Sequence, residues 1–496
     1  MTNTKLFSIW TGEYISLIGI TILLLAGFCV GQSAISLSPK GGPTTNLRVS
    51  GSGFKPYAAI DIYFDTKEEA LAIADSAGGF SKIAIRTPAS SQVGTHWVSA
   101  VERSGHLGVQ ERFNVFVNWT EFHTVDMARW NPYENVLNVD TVGALQELGK
   151  YFTGASVYSS PVVANGVAYV GSSNYNLYAI NIHTAAKLWS YTTGGDVYSS
   201  PAVANGVVYF GSLDNNVYAL NASTGAKLWS YATGGPVYSS PAVSGGAVYV
   251  GSYDNNVYAL NASTGAKLWS YTNGNYVYSS PAVTGGVVYV GLGEYVYALN
   301  ASTGAKLWSY GTGGSVFSSP AVANGVVYVG SLDQNLYALD ASTGAKLWNY
   351  TTGNYVADSS PAVANGVVYV GSLDQNLYAL DASTGAKLWS YTTGSYVDSS
   401  PVVANGVVYV GSFDDILYAL NASTGAKLWS YTTNSSVSSS PVVVNGVVYV
   451  GSFDDNIYAF GLPSGLAPPQ EADSKHPDLK ALRPDFSLKV SLPGTD

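Results

Sequence analysis

The stretch SSPAVANGVVYFGSLDNNVYALNASTGAKLWSY, residues 199–231, decides the fold. Its apolar residues show no 3.6-residue period, and Val and Tyr, which suit a pleated half-buried surface, dominate it. Asn205-Gly206 is a two-residue hairpin turn. Asp214-Asn215 and residues 221–225 are further turns. Four short strands lie between them: A over 199–203, B over 207–211, C over 217–220 and D over 227–231. The Ser-Ser-Pro that opens the unit recurs with its proline at 161, 201, 241, 281, 320, 361, 401 and 441, in steps of 40, 40, 40, 39, 41, 40 and 40 residues. Such a period marks a repeat fold, and four-stranded antiparallel units of this length are propeller blades.

The two ends of the array predict how it closes. The last copy supplies strands A, B and C and leaves the pattern at Gly461-Leu462-Pro463. Residues 145–152 have the spacing of a D strand, with Gly149 where the other copies have Trp. Pairing this strand with the last copy removes a sheet edge and locks a ring. The expectation is an all-β chain with an eight-bladed β-propeller of four-stranded blades over residues 145–462.

Composition agrees. Of 496 residues only 11% are charged, while 38 are Tyr and 54 Gly, largely one blade sequence repeated. The net charge of −10 argues against a nucleic-acid binder, which needs a basic footprint. Residues 151–460 hold seven Lys against thirteen Asp and one Glu, a net −7. A single Cys excludes a disulfide framework or a Cys-rich metal site.

Outside the array, residues 1–34 read as a signal peptide or membrane anchor around the apolar run 15–31. The expected location is exported: at the cell surface, membrane-anchored or secreted. Ala26-Gly27-Phe28 before Cys29 departs from a lipobox at the bulky Phe28. Cys29 therefore reads as part of the apolar core. Residues 35–117 alternate β-rich runs with turns such as Gly51-Ser52-Gly53 and Gly78-Gly79. That suits an immunoglobulin-like β-sandwich, and the stretches 49–54 and 77–81 resemble bacterial surface immunoglobulin-like modules. Residues 118–144 read as a linker, and 463–496 as a disordered Pro-rich tail.

The repeat also carries a family resemblance. Ala219-Leu220-Asn221-Ala222-Ser223-Thr224-Gly225-Ala226-Lys227-Leu228-Trp229, and its Asp versions ending at Trp348 and Trp389, resemble the tryptophan-docking motif of pyrroloquinoline-quinone (PQQ)-like repeat propellers. The resemblance implies that Trp189, Trp229, Trp269, Trp308, Trp348, Trp389 and Trp429 wedge between neighbouring blades. Gly149 makes the closing blade the weakest joint. The family holds PQQ- and calcium-dependent dehydrogenases as well as non-catalytic propellers of the outer-membrane assembly machinery.

The enzyme branch resembles itself in a vicinal cysteine disulfide, a catalytic Asp and a calcium site. Residues 151–460 contain no Cys, no Arg, one Glu (Glu294) and one His (His183). One His cannot activate eight equivalent Ser-Ser-Pro sites, and His183 reads as a turn residue. Asp214, Asp254 and Asp333 each bring one carboxylate plus amides, too few oxygens for a hard cation. No cofactor is expected; PQQ and calcium belong only to the alternative, a quinoprotein-type oxidoreductase.

Comparison among the copies locates the candidate binding residues. The A–B and C–D turns hardly vary, whereas the B–C and D–A connections do, and these two share one face of the ring. Three residues before each proline stand Tyr158, Tyr198, Tyr238, Tyr278, Phe317, Asp358, Asp398 and Ser438. One arc is aromatic and the opposite arc acidic or small, an arrangement suited to a protein, peptide or glycan. The loop acids make the same face the place to look for a partner. The propeller is expected to be monomeric and to meet a membrane only through the N-terminal segment. Asn221, Asn261, Asn300 and Asn421 match glycosylation sequons, but read as turn residues.

Overall fold

The computed structural model describes residues 33–38, 45–88, 94–104, 107–115, 119–122 and 128–463. The apolar run 15–31, Cys29 and the tail beyond Pro463 lie outside them. Among the described residues no helix is long and apolar enough to cross a membrane.

Seven strands come first. Ala34–Ser38, Asn46–Ser52 and Phe80–Arg86 form one sheet; Lys67–Ile73, Ala59–Phe64, Gly94–Glu102 and Gly108–Val115 form another. Leu47, Val49, Ile60, Ile62, Val98 and Phe113 share one buried core. In Asn46–Ser52 the alternation of exposed Asn46 and Arg48 with buried Leu47 and Val49 sets which face turns inward.

Eight further sheets follow. The first seven blades span 162–192, 202–232, 242–272, 282–311, 321–351, 362–392 and 402–432. The eighth joins 442–461 to Gln146–Phe152, antiparallel, with Gly149 opposite Ala459. In the second blade Trp229 stands opposite Ala219, so Gly149 occupies the Trp position, as the spacing predicts.

The inner strand is shorter than expected: Ala202–Ala204 rather than 199–203. Pro201 has no N–H to give a ladder, and the serines before it bond elsewhere. The Ser160 N–H donates to Ser200 Oγ of the next blade at 2.9 Å. The same bond runs from Ser200 to Ser240, Ser280, Ser319, Ser360, Ser400 and Ser440. Ser440 then donates to Ser160 Oγ at 3.0 Å, closing a ring of eight. Ser199 Oγ accepts the Gly211 N–H of its own blade at 3.1 Å. Ser-Ser-Pro is therefore a ring-closing device, its hydroxyls spent on backbone groups.

A belt of tryptophans holds the outside. Trp229 Nε1 donates to the Ala262 carbonyl of the next blade at 2.9 Å, and Tyr209 donates to the same oxygen at 3.1 Å. The indole lies over the next blade's turn glycine: a Cβ on Gly225 would sit 2.7 Å from the Trp189 ring, and Gly225 has φ +71°. Only glycine meets both demands. Trp189, Trp269, Trp308, Trp348 and Trp389 dock in the same way. Trp429 docks on the Leu145 carbonyl, because the turn of the eighth blade is interrupted.

Of residues 118–144, expected as a linker, those described are 119–122 and 128–144, and these contact the propeller. The segment from Trp119 reaches the inner strands, whose edges carry unpaired backbone groups. Trp119 bridges to Val163. The Thr120 carbonyl accepts the Val203 N–H at 2.7 Å, and Glu121 Oε2 accepts that of Val243 at 3.3 Å. Across the ring, Ala128 accepts from Val363. Trp130–Asn131 adds a parallel fifth strand to the seventh blade, and Asn131 donates to the Val443 carbonyl. Backbone pairing leaves no periodic side-chain signal, so this strap escapes a repeat-based reading.

Candidate functional site at the mouth of the central channel

The innermost strands surround an axial channel, and the residues that precede each proline meet at one end of it. Tyr158, Tyr198, Tyr238, Tyr278, Phe317, Asp358, Asp398 and Ser438 all line one cavity of about 240 Å³. Every candidate binding residue read from the repeat comparison is thus brought to one place.

The aromatic residues form a continuous arc. Ring centroids are 4.5 Å apart for Tyr158–Tyr198, 5.9 Å for Tyr198–Tyr238, 5.5 Å for Tyr238–Tyr278 and 5.2 Å for Tyr278–Phe317. Each blade contributes one ring, so the fold's rotational spacing sets the stacking. The B–C loops extend the arc: Phe453 lies 4.1 Å from Tyr158, Phe413 packs edge-on against Phe453, and Tyr253 lies 4.6 Å from Tyr238. Comparison of the copies missed Tyr253, Phe413 and Phe453. Their signal was present, since Leu213, Leu332 and Leu373 hold the equivalent loop position, but the inward direction of that loop is not.

The acidic arc brings Asp358 and Asp398 together as neighbouring like charges. Tyr278 donates its hydroxyl to Asp358 Oδ2 at 3.3 Å. Burial pushes the Asp358 carboxyl up, against the effect of that hydrogen bond. Burial, with Asp358 as a like charge beside it, pushes Asp398 up to about 7. Asp398 Oδ1 is buried with no hydrogen-bond partner among the described residues. Near neutral pH the pair holds a proton and offers an unspent acceptor to whatever enters. Tyr278 itself is pushed well above the usual phenol range by burial and by Asp358, so it acts as a neutral donor.

The strap bounds the cavity with Phe122. Phe122 is positioned by Arg129, which is fully buried. The Arg129 guanidinium lies 4.6 Å over the Phe122 ring and donates to the carbonyls of Phe122, Ser400, Pro401 and Pro441. Burial brings its pKa down to about 9. Glu121 is pushed up to about 7, burial outweighing the Val243 hydrogen bond.

The loop acids are held by their own chain. Asp214 Oδ2 accepts the Gly194 N–H and the Tyr218 hydroxyl, both at 2.7 Å, and its Oδ1 accepts the Asn216 N–H. Burial would raise its pKa, but these bonds together hold it below the usual carboxylate value. Asp254, Asp333 and Asp454 are held alike. Six of the thirteen propeller Asp residues therefore tie the B–C turn to the preceding D–A connection, the others of this kind being Asp374 and Asp414. Asn221 and Asp340 cap the C–D turns, accepting backbone N–H groups two and three residues on. Among the described residues no three His, Cys, Asp or Glu side chains gather as a metal site would require.

A family model described as "Outer membrane protein assembly factor BamB" matches residues 193–281, 273–395 and 354–467, more than half of the chain. The chain belongs to this family. Its PQQ-type docking motif, expected from the sequence, is the Trp belt described above. No curated protein matches the sequence. Among solved structures, BamB from Moraxella catarrhalis is 19% identical with a TM-score of 0.57, covering 64% of this chain and 100% of its own. A europium-containing methanol dehydrogenase is 16% identical with a TM-score of 0.61, covering 70% and 98%. The computationally designed Ika8 protein is 19% identical with a TM-score of 0.59, covering 64% and 100%. An assembly factor, an oxidoreductase and a designed protein share the fold, so the fold alone does not choose among functions.

Proposed function

We propose that this chain is an exported, non-catalytic binding or scaffolding propeller. In this reading the mouth of its channel holds a protein, peptide or glycan at the cell surface. One observation carries the reading: the blade position that lines the axial cavity changes from five successive aromatic residues to Asp358 and Asp398 around the ring, beside a carboxylate oxygen without a donor among the described residues. Aromatic rings supply contact area at low entropic cost, and Asp398 selects ligands that bring a donor or a positive charge. The family's description as an outer-membrane assembly factor supports a role in the cell envelope. Glycan and peptide arrays probed with the full chain name the ligand. Replacing Tyr198, Tyr238 and Tyr278 together by Ala then abolishes its retention while the far-ultraviolet circular dichroism stays unchanged. Retention at wild-type affinity overturns the proposal.

The alternative, a quinoprotein-type oxidoreductase, draws on the methanol dehydrogenase fold. The lining residues do not fit the cofactor. PQQ is a tricarboxylate, and no Lys or Arg is among the residues that line the cavity. It would face Asp358 and Asp398 instead, while Arg129 spends its donors on backbone carbonyls. A quinone absorption band in the purified protein, or dye-linked alcohol oxidation after adding PQQ and calcium, would favour the alternative.

A further inference from the structure

The seam between the eighth and first blades departs from the six seams that keep an uninterrupted C–D turn at each position that docks the indole. Gly149 stands for Trp, Ile182 for Ala, His183 for Ser and Ala185 for Gly. A Cβ built on Gly149 would meet nothing within 4 Å. A half-open cleft of about 930 Å³ lies here, lined by Ile180, Ile182, Val447 and Tyr449 together with polar Lys150, His183 and Asn445. Thr95 and Val115 of the sandwich also border it. Seven seams fill this space with a covalently attached ring; the eighth has the walls without the ring.

We propose that this seam is a binding site for a planar, indole-sized aromatic ligand bearing an N–H donor. The site is continuous with the blade–blade interface, and the other seams show what such walls accept. In six of them an indole N–H meets the carbonyl of the second residue of the C–D turn, 2.9 Å away for Trp229 and Ala262, and in the seventh Trp429 meets the Leu145 carbonyl. Ile182 holds the equivalent turn position in the eighth seam, its N–H bonded to the Gly166 carbonyl as that of Ala222 is to Gly206, and Gly149 has no donor side chain to offer. Ala185, with φ +53°, adds a methyl group where the other seams need glycine. A Trp tethered at 149 would collide with that methyl, as a Cβ on Gly225 would collide with Trp189 at 2.7 Å. An untethered ring can slide outward to van der Waals contact within a space of this size. An aromatic ring laid on the apolar part of these walls removes its own and their apolar surface from water. The site is separate from the channel mouth and does not depend on the function proposed for it.

Indole itself is the probe. Saturation-transfer NMR and calorimetry with the full chain are expected to show saturable binding. 1-Methylindole, which lacks the donor, should bind about fivefold more weakly, the loss of one hydrogen bond. The variant G149W/A185G rebuilds an ordinary seam. It should lose indole binding by at least about tenfold and melt at a higher temperature, as expected for a filled cavity. G149L serves as a second filling variant should the first fail to fold. The triple Tyr→Ala channel variant should bind indole as the wild type does. Absence of saturable indole binding by the wild type, or undiminished binding by a folded filling variant, overturns the proposal.

Discussion

The outer belt and the channel mouth are built from the same eight repeats, yet they obey opposite rules. At the belt seven blades carry the same Trp, and each indole donates to a backbone carbonyl of the next strand or blade. At the mouth the equivalent residue changes from Tyr158 to Phe317 to Asp358 around the ring, and Asp398 Oδ1 has no donor among the described residues. Repetition at the belt gives seven seams the same blade spacing, and the ring closes across the Gly149 seam through the Ser440–Ser160 hydrogen bond. Difference at the mouth leaves that spacing alone, since those side chains meet across a cavity and do not set it. Stability and recognition are thereby placed at different radii of one fold.

Substitutions can separate the two. Trp269→Ala, at the centre of an intact seam, should cost about 3–5 kcal/mol, the usual range for a buried Trp, in chemical denaturation. Ligand binding at the mouth should survive wherever the variant is folded. Equal losses of stability and affinity would mean that belt and mouth are coupled. Arg129→Ala should cost about 3 kcal/mol or more, because four carbonyls lose their donor inside the ring. It should also loosen Phe122 beneath the mouth, so here both properties fall. Gly225→Ala tests the belt more gently. The positive φ and the indole at 2.7 Å together should cost about 1–3 kcal/mol.

The mouth gives smaller stability effects and larger binding ones. Tyr238→Ala should change stability by about 1 kcal/mol or less while weakening the ligand identified by array. A final test uses pH. Asp398 has a folded pKa of about 7, far above its unfolded value, so the folded state holds the extra proton between roughly pH 4 and 7. Stability therefore falls as pH rises through that window and is lowest above about 7. Melting temperature should rise by a few degrees on going from pH 8 to pH 5. Asp398→Asn should flatten that slope. Glu121, raised to about 7 by burial, contributes with the same sign, so Glu121→Gln should flatten it further.

Much of this was legible before any coordinates. The blade count followed from eight Ser-Ser-Pro prolines, and ring closure from the interrupted copy after Phe460 and the D-like strand ending at Phe152. The docking role of Trp229 and its copies followed from their motif, and the mouth residues from position-by-position variation. What escaped was non-repeating. The strap around Arg129 lacks a period and pairs through backbone groups that any residue supplies. Asp214 and its copies looked available because a carboxylate in a variable loop carries no mark of its hydrogen-bond partners. Tyr253, Phe413 and Phe453 were visible as variation but not as neighbours of Tyr238 and Tyr158.

The sequence by itself determined the number of blades, the strand order within each and the joint at Gly149, since a repeated local pattern forms the same local structure each time. Tertiary structure alone decided which variable residues converge and that Asp358 and Asp398 share one pocket with Tyr278. It also decided that the seam without a Trp stays open. Those outcomes depend on distances across the ring, between residues 40 to 300 positions apart, and no local pattern records them.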